Sequence, residues 1–260
     1  GKQLFAQVTN PPIDAIREKV VTATRVFAGE EGNLLEEKPE NCHMLQINNP
    51  ILTNTDLMKI RNIKEESHIK VTTLSLVYYK NTSLEKAIDR LFVEVDRAHR
   101  DGVNIIILSD RGVDEYHVAI PSLLAVSAVH HHLVDTRKRT SLSVILESGE
   151  PREVHHFATL LGYGACAINP YLAYEAIDDL IKTGMLKKDY YAAVNDYNEA
   201  VIGGIVKIAS KMGISTIQSY MGAQIFEAIG VDESVINKYF TNTVSRIGGI
   251  TLRDIEDEVN

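Results

Sequence analysis

The chain has 260 residues, 45% hydrophobic and 24% charged, enough to bury a sizeable core as one large α/β domain spanning 1–260. Its formal charge of −8, from 35 acidic against 27 basic residues with no basic block, excludes the electrostatic footprint of a nucleic-acid binder. Apolar runs such as 103–108 are too short to span a bilayer, and Gly1-Lys2-Gln3-Leu4 lacks the apolar core of a signal peptide, so the expectation is a soluble cytoplasmic protein without a nucleic-acid or membrane partner.

Residues 1–42 show little periodicity and contain Asn10-Pro11-Pro12, where two prolines remove backbone donors and hold an extended path. This stretch is expected to be an irregular lead-in. From residue 43 to 260, short apolar runs alternate with longer stretches of helical period, the pattern of repeated β/α units. Strands are predicted at 44–47, 71–79, 103–109, 142–147, 166–169 and 215–219. The clearest helix covers 84–99, where Leu84, Ile88, Leu91, Phe92 and Val95 make one apolar stripe. A longer helix is predicted over 189–212, with Gly203-Gly204 permitting close packing or a bend.

Helix starts are marked by Thr53-x-x-Asp56, Thr82-x-x-Glu85 and Thr251-x-x-Asp254, spacings that let a hydroxyl and a carboxylate satisfy free N–H groups. Pro121 and Pro151 sit where a first helical turn should begin. The final stretch, 251–260, reads as a helix begun and stopped without a cap, and with Gly1 at the start it suggests a piece of a longer polypeptide. About six strand–helix units are compatible with an open doubly wound sheet or an incomplete barrel, both mostly parallel.

In β/α folds the residues just beyond each strand's C-terminal end converge on one face. Here they are polar, and Asp110, Arg111, Glu147, Glu150 and Asn169 form a candidate acid/base or ligand-binding set. The alternative is that they cap helices, pair with one another or line a domain interface, which is the preferred reading because no positioned nucleophile accompanies them. A free-standing β/α enzyme using this cluster is therefore the second functional hypothesis.

Five of nine histidines cluster as His130-His131-His132 and His155-His156, but adjacent residues on a helix point about 100° apart and no His-x-x-x-His pair exists. Glu153-x-x-His156 matches half of a di-iron helix signature and lacks the second half. Structural histidines and no metal site are expected. Only two cysteines occur, Cys42 and Cys166, too few for an iron–sulfur cluster within this chain, and both are expected to be small buried residues. Gly162-Tyr163-Gly164 follows a helix as a C-cap would, and Gly248-Gly249 lacks a full dinucleotide fingerprint or a P-loop lysine.

Several strings taken together resemble the large subunit of glutamate synthase, in its central domain. They are Phe5-Ala-Gln-Val-Thr-Asn-Pro-Pro-Ile-Asp14, Glu31-Gly-Asn-Leu-Leu35, Leu108-Ser-Asp-Arg-Gly-Val-Asp114, Glu147-Ser-Gly-Glu-Pro-Arg-Glu-Val-His-His156, Ile168-Asn-Pro-Tyr-Leu-Ala173 and Lys211-Met-Gly-Ile-Ser-Thr-Ile-Gln-Ser-Tyr220. The resemblance implies an α/β fold similar to an incomplete or degenerate β/α (TIM-like) barrel that holds no flavin. It implies as partners an amidotransferase domain before this region and a domain with FMN and an iron–sulfur cluster after it. By the same resemblance the catalytic cysteine of the amidotransferase has no match in this chain, the flavin, cluster and 2-oxoglutarate contacts belong mainly to the following domain, and no catalytic or cofactor-binding residue is carried over. Ammonia released from glutamine travels inside such proteins to 2-oxoglutarate, and the stretch Thr9, Asn10, Pro11 and Pro12 corresponds to one near that passage, a candidate channel wall. Met221 departs from the basic or polar residue common in the family, which puts any polar interdomain contact at that position in doubt.

Overall fold

The computed structural model describes residues 23–30, 43–64, 68–224, 246–247 and 250–251. In chain order its elements are β1 (Val26–Glu30), β2 (His43–Ile47), α1 (Asn54–Arg61), β3 (Val71–Ser75), β4 (Val77–Tyr79), α2 (Leu84–Arg100), β5 (Ile105–Ser109), β6 (His117–Ala119), α3 (Ser122–Asp135), β7 (Ser143–Glu147), α4 (Val154–Gly162), β8 (Ala165–Asn169), α5 (Tyr171–Lys182), α6 (Tyr190–Lys211), α7 (Ile217–Gln224), β9 (Arg246–Ile247) and β10 (Ile250–Thr251).

Strands β3, β5, β7 and β8 pair in that order, every pair parallel. All five residues of β5 and of β8 are buried, which is why both read as unbroken apolar runs rather than as alternation. The chain before α1 extends the ladder beyond β8: Leu52 N–H donates to the Ile168 carbonyl at 2.8 Å and Ile168 N–H to that of Pro50 at 2.7 Å. The result is an open parallel sheet of repeated β/α units, with no pairing between β3 and residues 50–52 to close a barrel among the described residues. Helix α2 lays the predicted stripe, Leu84, Ile88, Leu91, Phe92 and Val95, into the core. Gly204 of α6 lies so close to α4 that a Cβ there would stand 2.7 Å from Val154, so the expected close packing is real.

The predicted lead-in at 1–42 contains a strand. β1 pairs antiparallel with β2, and Val26 and Ala28 are fully buried. Its order comes from a cross-strand partner rather than from local period, which is why a window read along the chain misses it. This hairpin closes the N-terminal end of the sheet: Gly29 N–H donates to Ser143 Oγ at 2.8 Å at the start of β7.

Further expectations are corrected. The run 71–79 is two strands, because Leu76 makes the last rung to Ser109 and Val77 then turns to pair antiparallel with β6. Residues 215–219 form no strand but lead into helix α7, which begins at Ile217: the Thr216 hydroxyl accepts from Ser219 N–H at 3.1 Å, so capping decides a short apolar run that periodicity leaves ambiguous. The N-cap of α2 is Ser83, not Thr82, and accepts from Lys86 N–H at 3.2 Å. The capping box at Thr53 and Asp56 forms as predicted, and Pro121 occupies the N-cap position just before the first turn of α3, whereas Pro151 precedes α4 by three residues. Thr251 lies in β10, and 252–260 fall outside the described residues. Among the described residues no helix is long and apolar enough to cross a membrane.

Candidate functional site

The parallel register places the last residues of the strands in one row, Ser75 beside Ser109, Ser109 beside Glu147, and Glu147 beside Asn169. Glu147 is the centre of this row and only 2% exposed. Its Oε1 accepts from Ser109 Oγ at 2.7 Å and from Arg61 Nη2 at 2.9 Å, and its Oε2 accepts from Arg111 Nε at 2.8 Å. Burial alone would raise its pKa, but the hydrogen bonds from Ser109, Arg111 and Arg61 outweigh that and hold the carboxyl below its ordinary value. Glu147 is thus fixed as an anion between two guanidinium groups.

Asp110 forms a second node. It accepts from Ser148 Oγ at 2.5 Å, Tyr171 OH at 2.6 Å and Gly149 N–H at 3.1 Å. Burial and donation to Asp110 push the Tyr171 hydroxyl well above the ordinary range, so it stays a donor. The two nodes join where the Arg111 guanidinium lies 4.0 Å from the centre of the Tyr171 ring. Glu150 serves another purpose: its Oε2 accepts from Ser122 N–H at 2.7 Å and caps α3, whose own N-cap, Pro121, has no side-chain acceptor. Asn169 donates to the Leu52 carbonyl at 3.0 Å and to Asn54 Oδ1 at 2.9 Å, tying β8 to the segment that leads into α1.

All five nominated residues therefore sit at the strand-end face, and each is engaged in a pair, a cap or a strap. A general base needs an accessible lone pair and a pKa near the working pH, whereas both Glu147 oxygens are occupied and its affinity for protons is reduced. Arg61 and Tyr171 belong to the cluster but escape nomination from sequence. Arg61 lies 86 positions from Glu147, in the last turn of a helix, where a basic residue has an ordinary role beside the dipole.

The histidines do not converge. His132 Nε2 lies 2.8 Å from Asp96, which also accepts from Lys138 at 2.9 Å, and its ring stacks on Phe92 at 4.4 Å. His130 is buried and lines a cavity of about 30 Å³ together with Cys166 and Met221. Burial lowers the His130 pKa to about 3 and raises that of the Cys166 thiol to about 12, so neither is poised as an ion. Met221 is 8% exposed and packs in the core, away from the polar role that its family position suggests. No group of three or more His, Cys, Asp or Glu side chains is placed to hold a metal among the described residues. Cys42 and the candidate channel-wall residues Thr9, Asn10, Pro11 and Pro12 lie outside the described residues.

Repeated β/α units around an open parallel sheet, with Glu147 and Asp110 held by neighbouring donors at the strand ends, define a domain of the open β/α class. The chain belongs to the glutamate synthase central domain family, whose profile matches residues 2–232. It is 47% identical over 257 residues to the glutamate synthase [NADPH] large chain of Bacillus subtilis, covering 99% of this chain and 17% of that relative. It is 45% identical to the glutamate synthase [NADH] of Schizosaccharomyces pombe, over 98% of this chain and 12% of the relative. It is 40% identical to the ferredoxin-dependent glutamate synthase 2 of Synechocystis, over 99% and 17%. The chain thus spans less than a fifth of the curated relatives it matches.

Proposed function

We propose that the chain is the connecting domain of a glutamate-forming enzyme that converts glutamine, 2-oxoglutarate and a reductant into two glutamates. In this reading it stands between the amidotransferase and FMN domains of one subunit, forms part of the ammonia passage, and carries out no chemical step itself. The family match over nearly the whole chain supports the placement. The observation that carries the noncatalytic role is the closure of the strand-end cluster, where Glu147 and Asp110 are saturated by neighbouring donors. FMN and an iron–sulfur cluster supply the redox chemistry of such an enzyme and, in this reading, belong to the sequence beyond this domain. The donors described here do not fit a cluster, because the Cys166 thiol is buried and held protonated. Relatives named for NADPH, NADH and ferredoxin share this domain at 40–47% identity, which supports placing the choice of reductant elsewhere.

The test uses the full-length subunit. Replacing Asn10 by Phe, or Pro11-Pro12 by glycines, should leave glutamine hydrolysis intact while free ammonia rises and glutamate falls. Prolines stiffen the wall by fixing φ, and glycines release it. The readout is ammonia released per glutamate formed, and an unchanged ratio in a folded variant makes the stretch a linker only.

A further inference from the structure

The two edges of the parallel sheet are treated differently. Beyond β8, residues 50–52 add a parallel bridge. Beyond β3, the described residues add nothing. Backbone groups along a strand point alternately to either neighbour. Lys70 N–H donates to Asn104 Oδ1, the Lys70 carbonyl accepts from Asn104 and Ile105 N–H, and Leu76 N–H donates to Ser109, so the even-numbered residues face β5. Val71, Thr73 and Ser75 therefore turn their backbone groups outward.

Arg90 occupies the upper end of this edge, its Nη2 donating to the Ser75 carbonyl at 2.9 Å and its Nη1 to that of Val77 at 3.1 Å. The N–H and C=O of Val71 and Thr73, and the N–H of Ser75, have no partner among the described residues. Soluble proteins blunt open edges with Lys, Pro, bulges or inward charges. Val71-Thr-Thr-Leu-Ser75 carries none of these and favours strand pairing instead. Beside it runs a groove of about 370 Å³ between β3 and α2. Its charged lining, Lys70, Glu94, Arg97 and Asp101, sums to zero, so the groove selects for neither sign.

We infer that the β3 edge receives a near-neutral extended segment from the longer polypeptide, which pairs with Val71 and Thr73 and adds a strand to the sheet. The inference rests on the reading of this chain as one domain of a longer subunit. Relatives in which the matching region fills only 12–17% of the length leave ample sequence to supply that strand.

Hydrogen exchange resolved to single amides in the full-length subunit is the test. The outward amides of Val71, Thr73 and Ser75 should exchange as slowly as the inward ones of Thr72 and Leu74, about 100-fold below the rate of an open chain or slower. Outward amides that exchange at least about tenfold faster than inward ones overturn the inference. Thr73→Pro supplies the second arm, since proline is tolerated on an edge facing water but deletes a rung that is in use. One segment outside residues 1–260 should lose protection in Thr73→Pro and keep it in Thr73→Val. A response confined to residues 1–260, no response, or a dimer paired through this edge sinks the proposal. Glutamate formation by the parent subunit is assayed separately, and only its absence would count against the domain reading itself.

Discussion

Removing Glu147 should cost less than removing the cations around it. The carboxylate side chain is 3% exposed, whereas those of Arg61 and Arg111 are 38% and 47% exposed. In Glu147→Gln both guanidiniums can rehydrate, so the loss is that of two partly exposed charge-assisted hydrogen bonds, about 2 kcal/mol. In the double variant Arg61→Met with Arg111→Met, a buried carboxylate keeps only the Ser109 hydroxyl, and breaking such a pair from that side costs about 3–5 kcal/mol. Adding Glu147→Gln to the double variant then removes the stranded charge and should recover about 1–2 kcal/mol. Urea denaturation of the four proteins at pH 7 reads these differences, with a constant m-value as the check on two-state behaviour. A third substitution that lowers stability further would refute the asymmetry. The pH dependence has a fixed sign: with its folded pKa depressed, Glu147 contributes stability that is complete above the ordinary carboxylate pKa and lost as pH falls through the lowered one.

His130 titrates from 6.5 in the unfolded chain to about 3 in the fold, so its contribution should fall by about 2 kcal/mol between pH 7 and pH 5. The stability difference between the parent and His130→Phe should shift by that amount in denaturation curves at the two pH values, and an unchanged difference means that His130 is protonated in the fold or hydrated there. At the start of α2, Ser83→Ala should cost about 1 kcal/mol and Thr82→Ala close to nothing, read as shifts in thermal midpoint. A larger cost at Thr82 would return the cap to the position that the sequence spacing suggests.

What could be read from sequence and what could not divide along physical lines. The inner strands and α2 are legible because burial on both faces, or along one stripe, writes itself directly into residue type. β1 is not, since five residues gain their order from β2, thirteen positions further on, and no local signal announces the partner. Residues 215–219 mislead because Ile214, Ile217 and the threonine between them suit either a strand or a capped helix, and the Thr216 hydroxyl settles it through one hydrogen bond. The strand-end face is legible as a place, because polar residues follow apolar runs. Its internal wiring is not, because Arg61 meets Glu147 across 86 positions, a tertiary contact that no local spacing announces.

That wiring bears on how strand-end polarity in a β/α protein is to be interpreted. A reaction centre needs at least one group left short of partners, so that substrate completes the set. Around Glu147 and Asp110 the fold completes the set itself, with Ser109, Ser148, Tyr171 and two arginines, and it uses Glu150 to cap α3. The energy of these contacts goes into holding α1, β5, β7 and α5 in one relative arrangement. Among the described residues, backbone groups without partners lie along the outer side of β3, at Val71 and Thr73, where the chemistry on offer is a backbone ladder, while at the strand ends the buried Asn169 Oδ1 also lacks one. The strand-end carboxylates of Glu147 and Asp110 are thus satisfied within the fold, while the outer side of β3 keeps backbone groups open for pairing.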